Sequence, residues 1–299
     1  MERNTAKRTL EKLLSVCICL CMLGAMLPAQ VFAEEADTAQ TETVQDTAPK
    51  DTVYLSSADD LIQLAKNCRL DSWSQNRTVV LEADINLSSV DFNGIPSFGG
   101  TWEGQNHAIT GLSLSQDGSV QGLFRYVQQG ALVRDMTVKG RIKPGGTRAS
   151  VGGIAGSNAG TIENCAFDGV VSGTSQIGGI AGVNTVKGSI NGCTVSGTVY
   201  GSHFVGGVVG QNDGVAANCT NAASVNTTVS QNEVKLNDMT LDDLLKTEKA
   251  NDVTDAGGIA GNNAGVLRAC INRGTIGYSH IGYNVGGIAG SQTGYVEGC

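Results

Sequence analysis

VGGIAGSNAGTIENCAFDGVVSG, residues 151–173, decides the fold, because its opening pattern recurs four times downstream. IGGIAGVNTVKG begins at Ile177, VGGVVGQNDG at Val205, AGGIAGNNAG at Ala256 and VGGIAGSQTG at Val285, at intervals of 26, 28, 51 and 29 residues. Seven residues into each copy stand Asn158, Asn184, Asn212, Asn263 and Gln292. Nine residues in come Gly160, Gly214, Gly265 and Gly294, and fourteen in come Cys165, Cys219, Cys270 and Cys299. In the Ile177 copy a two-residue insertion displaces both, to Gly188 and Cys193. A diverged copy, QGLFRYVQQGALVRDMTVKGRI from Gln121, puts Met136 where the others have cysteine. Self-similarity at such a period marks a repeat architecture.

The runs between the glycines and asparagines are too short for helices, so they read as strands joined by turns. Each copy offers a few aliphatic positions, such as Ile154, Ile162, Cys165 and Val171, which one turn of chain cannot bury alone. Stacked turns bury them jointly, with strand beside strand about 4.8 Å apart. The expectation is an all-β fold, a right-handed parallel β-helix with three strands per coil and a short N-terminal helix/coil cap. The asparagine column is expected at turns that tolerate left-handed backbone, its amides bonding from coil to coil. The glycine columns read as positions of positive φ or with no room for a Cβ. Cysteines stacked in register have parallel Cβ vectors too far apart for a disulfide, so a buried column of free thiols is expected.

With 41 glycines, 4 prolines and 16% charged residues in 299, the chain is neither collagen-like nor a disordered low-complexity polymer. Its net charge of −8 argues against nucleic acid as a partner. Residues 1–33 have the layout of a signal peptide: Arg3, Lys7, Arg8 and Lys12, an apolar run at 13–27, then Val31-Phe32-Ala33 before Glu34. Cleavage there predicts a mature chain with 16 basic against 26 acidic residues, no membrane insertion, and Cys17, Cys19 and Cys21 removed. Residues 34–52 hold six acidic residues and almost nothing apolar, the composition of a disordered linker.

Residues 53–119 read as the cap and first coil. Ser57 to Asp60 open LIQLAKN with a capping-box-like start, predicting a short amphipathic helix with Leu61 and Leu64 inward. Residues 78–87 (TVVLEADINL) read as one strand, and FGGTWEGQNHAITGLSL as a hairpin-like, turn-rich coil. Residues 120–299 carry the repeats. The doubled interval of 51 places an excursion at 226–255, where Thr240 to Leu245 could form a short helix. LEADINL, GTWEGQNHAITGL and QGLFRYVQQG followed by VGGIAG units resemble the GLUG-repeat proteins of bacterial surfaces, over roughly residues 53–299. The resemblance implies adhesins, or the non-catalytic N-terminal region of IgA-protease-type zinc metallopeptidases.

That family's peptidase motif, His-Glu-x-x-His, is missing, and the three histidines, His107, His203 and His280, are scattered. No catalytic constellation, no metal-ligand spacing, no cofactor and no individual binding residue can be named from the sequence. His107 lies in the turn of the cap and reads as structural. The leading expectation is a secreted or cell-surface scaffold, adhesin-like or a spacer, with an unspecified extracellular protein or glycan as ligand. It is expected to be the N-terminal part of a longer protein, since Cys299 falls inside a repeat. Two alternatives are the front region of such a metallopeptidase and a carbohydrate-active β-helix enzyme. The latter needs clustered carboxylates or aromatic platforms that 14 thinly spread aromatics do not supply.

Overall fold

A Gly-Gly pair between two short apolar stretches allows the chain to turn within a few residues, and the turns stack. The structure, a computed structural model, describes residues 50–146, 148–227, 254–277 and 284–299. All of these belong to one unit, Thr47–Cys299. The signal-peptide reading, nearly all of the linker reading and the Thr240 to Leu245 helix lie outside the described residues. Strand β1 (Lys50–Leu55) does begin inside the stretch read as linker.

The fold is a right-handed parallel β-helix. Among the described residues its strands form four ladders of nine, eight, five and seven strands, and every pair is parallel. One coil runs through Ala149–Gly152, Ala155–Asn158, Thr161–Glu163 and Ala166–Ser172 before meeting the first ladder again at Ser175–Gly178. We name these the glycine, amide, short and long faces. Four strands per coil replace the three expected. The reason is local: Gly152 and Gly153 bend the chain, so the apolar run around Ile154 contributes to two faces.

The register puts like on like. Val79, Trp102, Val133, Ile162, Ile190, Ala216 and Leu267 form one unbroken inward column on the short face, all fully buried. Asn158 faces Asn184, then Asn212, Asn263 and Gln292 on the amide face. Met136 lies buried one residue ahead of Thr137, which pairs Ala166 just after Cys165, as the diverged copy implied.

The second glycine of each pair is required by packing. A Cβ on Gly153 would collide with the Phe167 ring, on Gly179 with Val195, and on Gly207 and Gly258 with Asn221 and Asn272. Positive φ is carried elsewhere. Asp135, Asn164, Asn218 and Ala269 hold φ of 50 to 56°, joined by Gly192 and Gly298, one residue before each member of the Met136–cysteine column. The buried asparagines sit in strands instead, correcting the expectation that theirs was the left-handed position.

At the N-terminal end, helix α1 (Ala58–Asn67) starts at Ser57, whose hydroxyl accepts from the Asp60 amide while the Asp60 carboxylate accepts from the Ser56 amide. Leu61 and Leu64 are buried in the same apolar core as a plug of Phe98, Trp102 and Phe124, whose rings meet at centroid distances of 5.1 to 5.9 Å. The run at 78–87 is split into Arg77–Leu81 and Ile85–Asn86, which join different ladders. Likewise Thr101–Glu103 and Ala108–Leu114 do not pair with each other, so the hairpin reading gives way to another parallel coil. Glu82-Ala83-Asp84 and Gly104-Gln105-Asn106 are the corners that turn the chain from one face to the next.

Candidate functional site

The polar groups that the repeats stack inside the coils bind one another. Asn158 Nδ2 donates to Asn184 Oδ1 at 2.8 Å, Asn184 to Asn212 at 2.8 Å, Asn212 to Asn263 at 2.7 Å and Asn263 to Gln292 Oε1 at 2.9 Å. The four asparagines are fully buried. A shorter second ladder, unforeseen, runs from Asn221 Nδ2 to Asn272 Oδ1 at 2.9 Å, where Phe167 and Val195 stand in earlier coils.

Cysteines 68, 165, 193, 219 and 270 are free and buried, whereas Cys299 is free but exposed, so the thiol column is buried over four of its five members. Each column thiol donates weakly to the carbonyl two residues back, at 3.2 Å for Glu163 and 3.1 Å for Ala217. Burial pushes the Cys68 thiol up to about 11 and the Cys165 thiol to about 12 from an ordinary 9.0. Bonding to the Cys193 sulfur raises Cys219, and bonding to the Cys219 sulfur raises Cys270. Such thiols are poor nucleophiles. Native mature protein is expected to react with a thiol reagent once, at Cys299, and six times after denaturation; nine would show the leader retained. The raised values also set a pH dependence. The folded chain holds these protons more tightly than the unfolded chain, so their stabilisation is full below pH 9 and is lost as pH rises through about 11 to 12, visible in alkaline urea titrations.

The two described histidines do not converge. His107 Nδ1 lies 3.1 Å from Asp84 Oδ1, which also accepts from the Ala108 amide at 2.8 Å, so it pins the cap's corner. His203 lies on the glycine face between Ser175 and Thr254, and His280 is outside the described residues. No group of three or more His, Cys, Asp or Glu side chains among the described residues could hold a metal ion. On the outer short face, Arg134 grips Glu103 through two bonds of 2.7 and 2.8 Å, and Arg268 pairs Glu297 at 2.8 Å.

Concavity is found at the cap. A cavity of about 670 Å³ is lined by Asp71, Pro96, Ser97, Arg125, Tyr126, Gln128 and Ser157 among others. A second of about 260 Å³ opens between α1 and residues 91–94, with Lys66, Arg69, Asp91 and Phe92 on its walls. Pro96 and Arg125 line both, making one cleft. Arg125 Nε and Nη2 are held at 3.1 and 3.3 Å by the Val120 and Ser119 carbonyls. Gln128 ties the Asp71 carbonyl (2.8 Å) to the Ser97 hydroxyl (2.7 Å).

The sequence reading named none of these residues, although a signal was present. Phe124 pairs Ala155 and Tyr126 pairs Ser157, so Arg125 stands opposite Gly156. At Gly156, Gly182, Gly210 and Gly261 a Cβ would strike the backbone of the preceding coil. Arg125 breaks that column ahead of the first glycine-face strand, Ala149–Gly152, where no such strand precedes it.

No protein-family model matches the chain. Halomucin from Haloquadratum walsbyi is 28% identical over 128 residues, 37% of this chain and 1% of that protein, so the chain spans a small fraction of the curated relative it matches. The crystal structure of a "putative immunoglobulin A1 protease" from Bacteroides ovatus is similar over 84% of both chains, with 18% identity and a TM-score of 0.48. Among the described residues no helix is long and apolar enough to cross a membrane.

Proposed function

We propose that the chain is an exported β-helical scaffold that binds or spaces at the cell surface and does no chemistry of its own. The observation behind this reading is that the polar side chains stacked inside the coils are taken up by neighbouring coils: the asparagines bond to one another along two ladders, and four thiols donate weakly to backbone carbonyls of the coil before. Such groups hold coil to coil and leave the outer faces as ordered columns for contact. The leader-like residues 1–33 and the acidic stretch 34–52 support an extracellular destination. The repeats are read as GLUG-type, and the front region of a larger metallopeptidase would use the same scaffold as a spacer.

The test is expression of the full sequence in a secreting bacterium, with N-terminal sequencing of the material outside the cytoplasm. It should begin at Glu34 and be digested by protease added to intact cells or be found in the medium. Retention in the cytoplasm with Met1 intact would defeat the proposal, as would hydrolysis of protein or polysaccharide by the purified chain.

A further inference from the structure

We propose that the cap cleft binds an acidic glycan, an anionic group of the sugar entering between α1 and residues 91–94 and a neighbouring sugar ring lying across Tyr126. This goes beyond the scaffold reading and rests on it only in expecting the ligand outside the cell. The chain carries a net charge of −8, yet Lys66, Arg69 and Arg125 converge on one small cavity against a single carboxylate, Asp91. None of the three makes an ion pair among the described residues, unlike Arg134, Lys139 and Arg268. Lys66 and Arg69 also suit the negative C-terminal end of α1, but Arg125 comes from another element and has no such reason to be there. Its guanidinium is aimed by two backbone carbonyls, so its position is set before any ligand arrives. Three cations against two carboxylates, Asp91 here and Asp71 in the adjoining cavity, leave the cleft net positive, and salt screens its attraction for an anion.

The adjoining cavity says what carries the anion. It offers the Tyr126 ring, 47% exposed, beside the Ser157 hydroxyl, the Asp71 carboxylate and Arg125. An amphipathic ring amid hydrogen-bonding groups suits a sugar, which has both apolar faces and hydroxyl edges. An acidic peptide adding as a strand is disfavoured. The cleft runs past the first strand of the amide face, Ile95–Phe98, where Pro96 has no N–H, the Gly99 amide already donates to Ser74 Oγ at 2.8 Å, and the Ser97 hydroxyl is bonded to Gln128.

The experiment is calorimetric titration of the purified chain, at low and at 300 mM salt, with a hyaluronan hexasaccharide, a heparin-derived hexasaccharide, cellohexaose, a poly-glutamate peptide and sodium sulfate. Lys66→Glu with Arg69→Glu, and separately Tyr126→Ala, change exposed side chains, and melting curves confirm that both variants remain folded. One or both acidic hexasaccharides should bind, more weakly in salt and at least tenfold more weakly to the double charge reversal, with Tyr126→Ala losing severalfold. Binding of neither acidic hexasaccharide overturns the proposal, as does equal binding of cellohexaose or of poly-glutamate. So does indifference to the charge reversal, or sulfate alone matching the hexasaccharides. Each of these failures leaves the export experiment untouched, and failed export leaves the titration untouched.

Discussion

Asn212→Leu is expected to cost the folded chain about 4 kcal/mol, read as a fall in the urea midpoint at unchanged slope. Asn212 is fully buried in the middle of the amide ladder, accepting from Asn184 at 2.8 Å and donating to Asn263 at 2.7 Å. Its Nδ2 also reaches the Gly214 and Val266 carbonyls at 3.3 and 3.2 Å. Leucine has the same branched outline but is larger, and it satisfies neither neighbour. It strands an N–H on Asn184 and a carbonyl on Asn263, each at a cost of about 1–3 kcal/mol, and the apolar gain offsets little because the site is already dry. Gln211, next in sequence but facing outward, supplies the control: Gln211→Ala should change stability by about 1 kcal/mol or less, since its bonds to Asp213 and Asn262 can be replaced by water. A loss at Asn212 no larger than that would mean that the ladder does not hold the coils together.

Gly207→Ala should be as damaging, by about 3 kcal/mol or more, whereas Gly287→Ala should be nearly silent. The two glycines hold the same place in their coils. A Cβ on Gly207 would come closer than 3.0 Å to the Gly258 carbonyl oxygen and the Asn221 amide, one fixed by the backbone ladder and the other by its bond to Asn272. Overpacking against backbone cannot be relieved by a rotamer change, so the coils must part locally. At Gly287 a Cβ would meet nothing within 4 Å. Because each coil touches only its neighbours, the Gly207 variant is also expected to lose cooperativity, its unfolding splitting into an N-terminal and a C-terminal transition in calorimetry. Equal melting of the two variants would contradict this account of the glycine column.

The repeat made the stacking, the register, the free thiols and the amide ladder legible, because a column is visible in sequence as recurrence at one spacing. Ser57 and Asp60 announced the helix in the same direct way. Other features could not be read off. The split of each coil into four strands depends on how sharply Gly152-Gly153 turns, which a glycine pair permits without specifying. The second amide ladder escaped because Asn221 and Asn272 occupy a column that begins with Phe167 and Val195, so no single residue type recurs. The cap cleft brings Lys66, Asp91 and Arg125 to one cavity, and their separation in sequence follows no period. Arg125 alone gave a hint, as a large side chain opposite a column of glycines.

All four faces have their backbone hydrogen bonds directed along the stacking axis, from one coil to the next. A pull along that axis therefore loads those bonds end-on, a few at a time, and never shears a whole sheet at once. The outermost coil would peel first and feed out the residues separating equivalent amides, 26 to 29 for three of the intervals and 51 between Asn212 and Asn263, so about 90 Å of extended chain for an ordinary step and nearly twice that for the long one. Under traction the molecule would behave less as a stiff strut than as a spool, paying out line coil by coil while the coils still wound keep their grip.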